Sequence, residues 1–233
     1  MNLISIRRAG GWFAIMAAVA YVLWILMGGL LFASAPSGAQ LGEAEGVLSF
    51  LGGLSEGQRA LGQSMTAFQL VANVLTVLVL AALYLVLRND GPVRALSASA
   101  AAALSVPVNI FSALLSFPLY GPLSDGFASA TAAERATSVS LYTFSVSLLE
   151  AAEVTSSLIL GAALIAYGLA MARSAVPRWV AWLTLAAGIG MLAGGLLQAT
   201  VAGQFGILPS IARLLWLAAL GIGLLRKMPA RAG

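Results

Sequence analysis

A few charged and amide side chains interrupt otherwise apolar stretches of this sequence, and they are the residues whose types could do chemistry. Glu150 and Glu153 stand three positions apart, so a helix places both carboxylates on one face. Arg213 lies within a separate apolar stretch. Two adjacent carboxylates near one arginine can share a proton or hold a charged ligand, and their titrations are coupled. The residue types therefore indicate a ligand or proton site.

The residue types that are missing exclude most catalytic centres. The chain has no cysteine and no histidine, which removes thiolate nucleophiles, iron–sulfur clusters and the commonest metal ligands. Ser156 and Ser157 lie beside Glu153, but the sequence offers no histidine or intramembrane lysine to activate a serine. A glycine pattern at Gly188–Gly194 resembles a dinucleotide fingerprint but lies inside an apolar segment without a preceding strand. We therefore expect no enzyme activity, no metal and no cofactor.

The composition identifies the kind of protein in which these residues act. The 233 residues are 61% hydrophobic and only 9% charged, with a mean hydropathy of +0.98. Soluble domains are about 45–50% apolar and about 25% charged, so a soluble domain is excluded. The net charge of +4 comes from basic residues at the ends of apolar segments, which indicates a lipid bilayer as partner and no nucleic acid.

Six apolar stretches are each long enough to cross a hydrocarbon core of about 30 Å. The predicted fold class is an all-α membrane protein with six transmembrane helices in a single domain over residues 1–233. The predicted spans are 11–32, 65–87, 95–118, 139–171, 179–201 and 207–225.

The first span has a competing interpretation as a cleaved signal peptide, because the small residues 33–35 imitate a cleavage site. Its apolar run of about 21 residues exceeds the 7–15 residues typical of a signal peptide. Pro36 would also follow the cut directly. Both features favour an uncleaved transmembrane helix.

The distribution of basic residues predicts the orientation. Only Arg59 and Arg135 flank the spans on one side, whereas nine basic residues flank them on the other. The positive-inside rule makes the richer side cytoplasmic, and with six spans both termini are then cytoplasmic. We expect the cytoplasmic membrane of a bacterium. The nine residues are Arg7, Arg8, Arg88, Arg94, Arg173, Arg178, Arg226, Lys227 and Arg231.

One long external loop, residues 33–64, contains apolar residues at helical spacing. The pattern predicts either a short interfacial helix lying on the outer leaflet or a connector packed on the bundle. Ser55 and Gln58 can cap a new helix that leads into the second span. The apolar positions are Val47, Phe50, Leu51 and Leu54.

The polar residues within the spans share one depth. At 1.5 Å per residue, Asn73 and Asn109 each lie about 21 Å from the inner end of their span, and Arg213 about 18 Å. All the polar groups fall in the outer half of the membrane, where they predict either an outward-facing site or a hydrogen-bond network that only selects helix partners. The candidate ligand-binding residues are Gln69, Asn73, Asn109, Glu150, Glu153 and Arg213, with Gln198 at a similar depth.

Helical side chains lean toward the helix N-terminus, so Arg213 reaches outward and is expected to pair with Glu153. A purely structural alternative stays open, in which Glu150 lies among lipid headgroups and Arg213 snorkels.

Small residues in the spans are expected to let helices approach closely. These are Gly190 with Gly194, Gly28 with Gly29, and Ala100–Ala103. Trp12, Trp179 and Trp182 are expected at the inner interface, and Trp216 in the core.

Several short motifs resemble a family of uncharacterised bacterial six-helix membrane proteins known only as a domain of unknown function. They are Arg8-Ala-Gly10, Leu83-Tyr84, Leu160-Gly161, Tyr167-Gly168, Arg173-Ser174, Pro177-Arg178-Trp179 and Ala187-Gly188. The resemblance covers the full length and implies the six-helix fold without naming a reaction. Family members have a glutamate after a proline in the last span. Here Arg213 follows Pro209, so no role of that glutamate is carried over.

Two functions remain open at this point. One is a binding or transport protein with an outward-facing polar site for a small molecule, a lipid or a proton. The other is an accessory or assembly subunit whose small-residue faces pack against a membrane-protein partner or a second copy of the chain.

Overall fold

The computed structural model describes residues 3–33, 44–90, 92–121, 124, 127, 130–201 and 207–226. Within these ranges the chain forms seven α-helices and no strand, and six of the helices are long and apolar enough to cross a membrane. The predicted all-α, six-span membrane fold is confirmed. The helices are α1 Leu3–Ala33, α2 Ala44–Gly53, α3 Glu56–Leu87, α4 Pro92–Leu119, α5 Ala132–Met171, α6 Arg178–Val201 and α7 Ile207–Leu225.

Two long helices begin well before their apolar segments because polar caps set their first residue. Ser55 and Gln58 form the predicted cap: the Ser55 hydroxyl accepts from the Gln58 amide at 3.3 Å, and the Ser55 amide donates to Gln58 at 2.8 Å. Thr131 and Glu134 make the same reciprocal box before α5. Each box satisfies amides that the first turn leaves free. The predicted Ser55–Gln58 cap therefore marks the start of α3 correctly, whereas the predicted start at 139 missed the first residues of α5.

The six long helices form a closed ring. In chain order α1 packs on α3, α3 on α4, α4 on α5, α5 on α6, and α6 on α7, which returns to α1. The ring is filled at one level by Tyr167 of α5, whose hydroxyl lies 2.7 Å from the Ser99 hydroxyl of α4 and 3.4 Å from the Leu80 carbonyl of α3. Large apolar side chains, including the fully buried Trp216 that was expected in the core, surround it.

Glycines bring α6 close to both of its neighbours. A Cβ on Gly161 of α5 would lie 2.9 Å from the Gly188 carbonyl, and one on Gly188 would lie 2.8 Å from the Gly161 carbonyl. On the α7 side, a Cβ on Gly194 would lie 2.7 Å from Pro209, and one on Gly190 would lie 3.4 Å from Ala212. The prediction that Gly190 and Gly194 permit close packing is confirmed.

Two other small-residue predictions are wrong in part. A Cβ on Gly29 would meet nothing within 4 Å, although one on Gly28 would lie 3.2 Å from Met65. In α4, Ala102 is buried while Ala100 and Ala103 are exposed, because a helix turns only one face toward the ring. Small size alone therefore did not identify the packed face.

The short helix α2 packs against the bundle. Its apolar face is almost completely buried beside Leu31, Met65, Tyr120 and Tyr142. That face is therefore not available to a leaflet, which favours the packed connector over the interfacial helix. The residues of this face, with the one that follows the helix, are Val47, Phe50, Leu51 and Leu54.

Some predictions fall outside the described residues. These are the cleavage-like residues 34–36 and the basic residues Lys227 and Arg231. The depth of Trp12, Trp179 and Trp182 stays a prediction. All three are exposed on the outside of the ring, at 59%, 36% and 69% respectively.

Substituting Gly188 with leucine should destabilise the bundle by about 1–3 kcal/mol, because the added atoms meet the backbone of α5 at Gly161 and Ile165 as well as the Ile165 side chain. Equilibrium unfolding in mixed micelles measures this loss. The matched control is Gly57→Ala, where an added Cβ has no neighbour closer than 4.0 Å. Equal stability of Gly188→Leu and wild type would contradict the described α5–α6 packing.

Candidate functional site

The buried arginine of α7 is the central charged group of the ring. Arg213 is 3% exposed, and its guanidinium reaches across to two other helices. Nη1 donates to the Tyr21 hydroxyl of α1 at 3.1 Å, and Nη2 donates to the Asn73 side-chain oxygen of α3 at 2.9 Å. The guanidinium carbon also lies 5.0 Å from the centre of the Tyr21 ring, within cation–π range. Arg213 thus connects α7 to α1 and α3.

Asn73 extends this connection to the next helix of the ring. Its side-chain nitrogen donates to the Asn109 carbonyl of α4 at 3.2 Å, and the Asn109 side chain donates to the Ser105 carbonyl at 3.2 Å. Asn73 is therefore held between two helices and presents its oxygen to Arg213. A chain of hydrogen bonds in a medium of low polarity fixes both the position and the orientation of each member.

A small polar chamber lies beside Arg213. Its volume is about 30 Å³, which is space for two or three water molecules at about 10–15 Å³ each. Every long helix contributes a polar side chain to its wall. In the order of α1, α3, α4, α5, α6 and α7 these include Tyr21, Gln69, Asn109, Glu153, Gln198 and Arg213.

A larger vestibule adjoins the chamber. Its volume is about 470 Å³, within the range of about 300–1,000 Å³ that is usual for ligand pockets. Five residues line both spaces and form the boundary between them: Trp24, Gln69, Glu153, Gln198 and Ser210. Glu150 and Gly29 line the vestibule but not the chamber. A molecule in the vestibule would therefore contact Glu153 before it could approach Arg213.

One comparison with known proteins identifies a family. A family model described as a domain of unknown function (DUF4386) matches residues 9–227. The chain belongs to the DUF4386 family. The predicted membership of an uncharacterised family is thereby confirmed, and the family description assigns no reaction. No curated protein and no solved structure matches the chain.

The six predicted site residues of this DUF4386 protein lie in one region, but they do not all line the same cavity. Gln69, Asn109, Glu153 and Arg213 line the chamber, and Asn73 lies behind it as an acceptor for Arg213. Glu150 is exposed and faces only the vestibule. Whether any of them binds a ligand stays a prediction.

The expected Arg213–Glu153 ion pair is wrong. In the described part of the chain no carboxylate oxygen lies within 4 Å of an Arg213 nitrogen, and the hydrogen bonds of Arg213 go to the neutral side chains of Tyr21 and Asn73. The side chain reaches across the ring toward α1 and α3, so the chamber separates it from Glu153 on α5. Its Nε is buried without a hydrogen-bond partner.

Sequence reasoning missed the contribution of α1 to this DUF4386 site. Tyr21 binds Arg213, and Trp24 lines both cavities one turn further along the same helix. The signal was available, because Tyr21 is a hydroxyl-bearing residue in the middle of an apolar span.

Removing the side-chain oxygen that accepts a hydrogen bond from Arg213 should lower the free energy of unfolding. Asn73→Ala leaves a buried guanidinium donor unpaired, and we expect a loss of about 1–3 kcal/mol. In an Arg213→Met background the guanidinium donor is absent. There Asn73→Ala should lower the free energy of unfolding by at least about 0.5 kcal/mol less than it does in the wild-type background. Unfolding in mixed micelles of all four combinations measures the coupling.

The control for this cycle is Asn89→Ala, which removes an exposed amide outside the spans. It should leave stability unchanged in both backgrounds. Strictly additive effects of Asn73→Ala and Arg213→Met would mean that the hydrogen bond between them does not stabilise the fold.

Proposed function

We propose that this protein binds a small molecule or lipid in the vestibule and acts as a binding or transport protein. The observation that carries the proposal is the convergence of one polar side chain from each long helix on the chamber at the end of a ligand-sized vestibule. Glu150, Glu153 and Gln69 would contact the ligand directly. Arg213, Asn73 and Asn109 would form the polar floor behind them.

The basic residues support an outward orientation for this site. With both termini in the cytoplasm, the polar layer lies in the outer half of the membrane. The vestibule then opens to the outside or to the outer leaflet. We place the protein in the cytoplasmic membrane of a bacterium and propose no catalytic activity, because the sequence offers no histidine or intramembrane lysine to activate a nucleophile.

The alternative function, an accessory subunit of a larger complex, depended on small-residue faces that could pack against partners. Three of the four glycines predicted to form those faces pack within the molecule. A Cβ would lie 2.7 Å from Pro209 on Gly194, 3.4 Å from Ala212 on Gly190 and 3.2 Å from Met65 on Gly28. The glycine faces therefore supply no argument for a partner, which supports the binding function.

Native mass spectrometry of the protein, gently extracted from its own membrane, tests the proposed function. We expect a monomer or homo-oligomer that retains a small molecule or lipid. Glu153→Gln should reduce the retained fraction at least threefold, because that carboxylate lies at the boundary of both cavities. Glu56→Gln, which neutralises an exposed carboxylate in the first turn of α3, is the control and should retain the ligand fully.

A stoichiometric integral membrane partner with an empty vestibule would contradict the proposal and support the accessory subunit. Retention that is equal in wild type and in Glu153→Gln would instead show that the bound molecule lies elsewhere.

A further inference from the structure

We propose that the vestibule selects a lipophilic cation, meaning a molecule with one positive charge on a largely apolar body. This inference rests on the proposed function and names the ligand class of the same site.

The charges that face the vestibule are negative. Glu150 and Glu153 both line it, and no lysine or arginine does so among the described residues. Neither carboxylate makes a hydrogen bond or ion pair through its side chain within the described ranges. An ionised carboxylate in an apolar cavity is costly unless a positive charge or several hydrogen bonds compensate it.

Arg213 compensates at most one of these carboxylates. It lines the chamber together with Glu153 but does not line the vestibule. The chamber of about 30 Å³ has room only for a few water molecules and is too small for the charged group of a ligand. Taken together, the two cavities are lined by two acidic side chains and one basic side chain. Glu150 lines only the cavity that has no basic side chain, so it is the carboxylate that a bound cation would pair with.

The rest of the wall fits an apolar cation better than a hydrated one. Trp24, Tyr120 and Tyr142 line the vestibule together with aliphatic side chains such as Met65 and Leu149. Aromatic faces attract cations that have lost their water, by about 0.5–2 kcal/mol each. An anion of the same shape would gain nothing from the ring faces and would be repelled by both carboxylates.

A pair of probes with the same shape and opposite charge tests the inference. Tetraphenylphosphonium and tetraphenylborate carry four phenyl groups around a cationic or an anionic centre. Isothermal titration of the purified protein in a neutral maltoside detergent should show saturable binding of the cation. Binding of the anion should be at least tenfold weaker after subtraction of the partition into empty micelles.

Three variants locate the binding. Glu153→Gln and Glu150→Gln should each weaken binding of tetraphenylphosphonium, by at least tenfold and at least threefold respectively, while Glu56→Gln leaves it unchanged. Gly29→Trp should also abolish binding, because Gly29 lines the vestibule and a Cβ there would meet no atom within 4 Å, which leaves space for the indole to occupy the vestibule. Its control is Leu30→Trp on the exposed side of the same helix. If Glu153→Gln fails to fold, Glu150→Gln and Gly29→Trp still decide the result.

Equal binding of the two probes would overturn the inference, and so would binding that is insensitive to both carboxylates and to Gly29→Trp. If the cation fails to bind but native mass spectrometry finds a retained anionic or neutral lipid, the ligand class is wrong and the proposed function stands. If no probe binds and no molecule is retained, both proposals fail.

Discussion

A guanidinium buried among transmembrane helices must find its hydrogen-bond acceptors inside the protein, because lipid offers none. Arg213 finds them on α1 and α3, through Tyr21 at 3.1 Å and Asn73 at 2.9 Å. Asn73 is itself held by α4, so one charged residue connects four of the six ring helices. Arg213 and Glu153 both line the chamber, but the hydrogen bonds of the guanidinium go to its neutral partners.

The packing of the ring differs along its length. Some levels are tightly packed, and one level leaves the space of the proposed binding site. Where α6 meets α5, Gly161 and Gly188 let the two backbones approach closely, and where α6 meets α7, Gly194 leaves room for Pro209. At the level of Tyr167, a large side chain fills the centre and binds α4 and α3. Around Gly29 the absence of a side chain is not matched by a neighbour, and the space joins the vestibule. Glycines thus permit close helix packing around α6 but leave open space at Gly29.

The sequence was sufficient for the fold class and for the layer of polar residues, because hydropathy and helical rise are one-dimensional properties. It could not determine which partners the polar groups choose. Depth alone favoured an Arg213–Glu153 pair, whereas the order of helices around the ring places Tyr21 and Asn73 within reach of Arg213. The start of α5 was also missed, since the Thr131–Glu134 capping box acts outside the apolar window. Glycine faces were recognised on α6 but not their exact neighbours, which depend on helix rotation.

The central claim is that the ring encloses a chamber at Arg213 that is continuous with a ligand-sized vestibule. A high-resolution structure by electron cryomicroscopy, with the protein in nanodiscs of its own lipids, tests this claim most directly. The account predicts Arg213 bound to Tyr21 and Asn73, with non-protein density in the vestibule between Trp24 and Glu150. A vestibule closed by side chains, with Arg213 paired directly to Glu153, would contradict it.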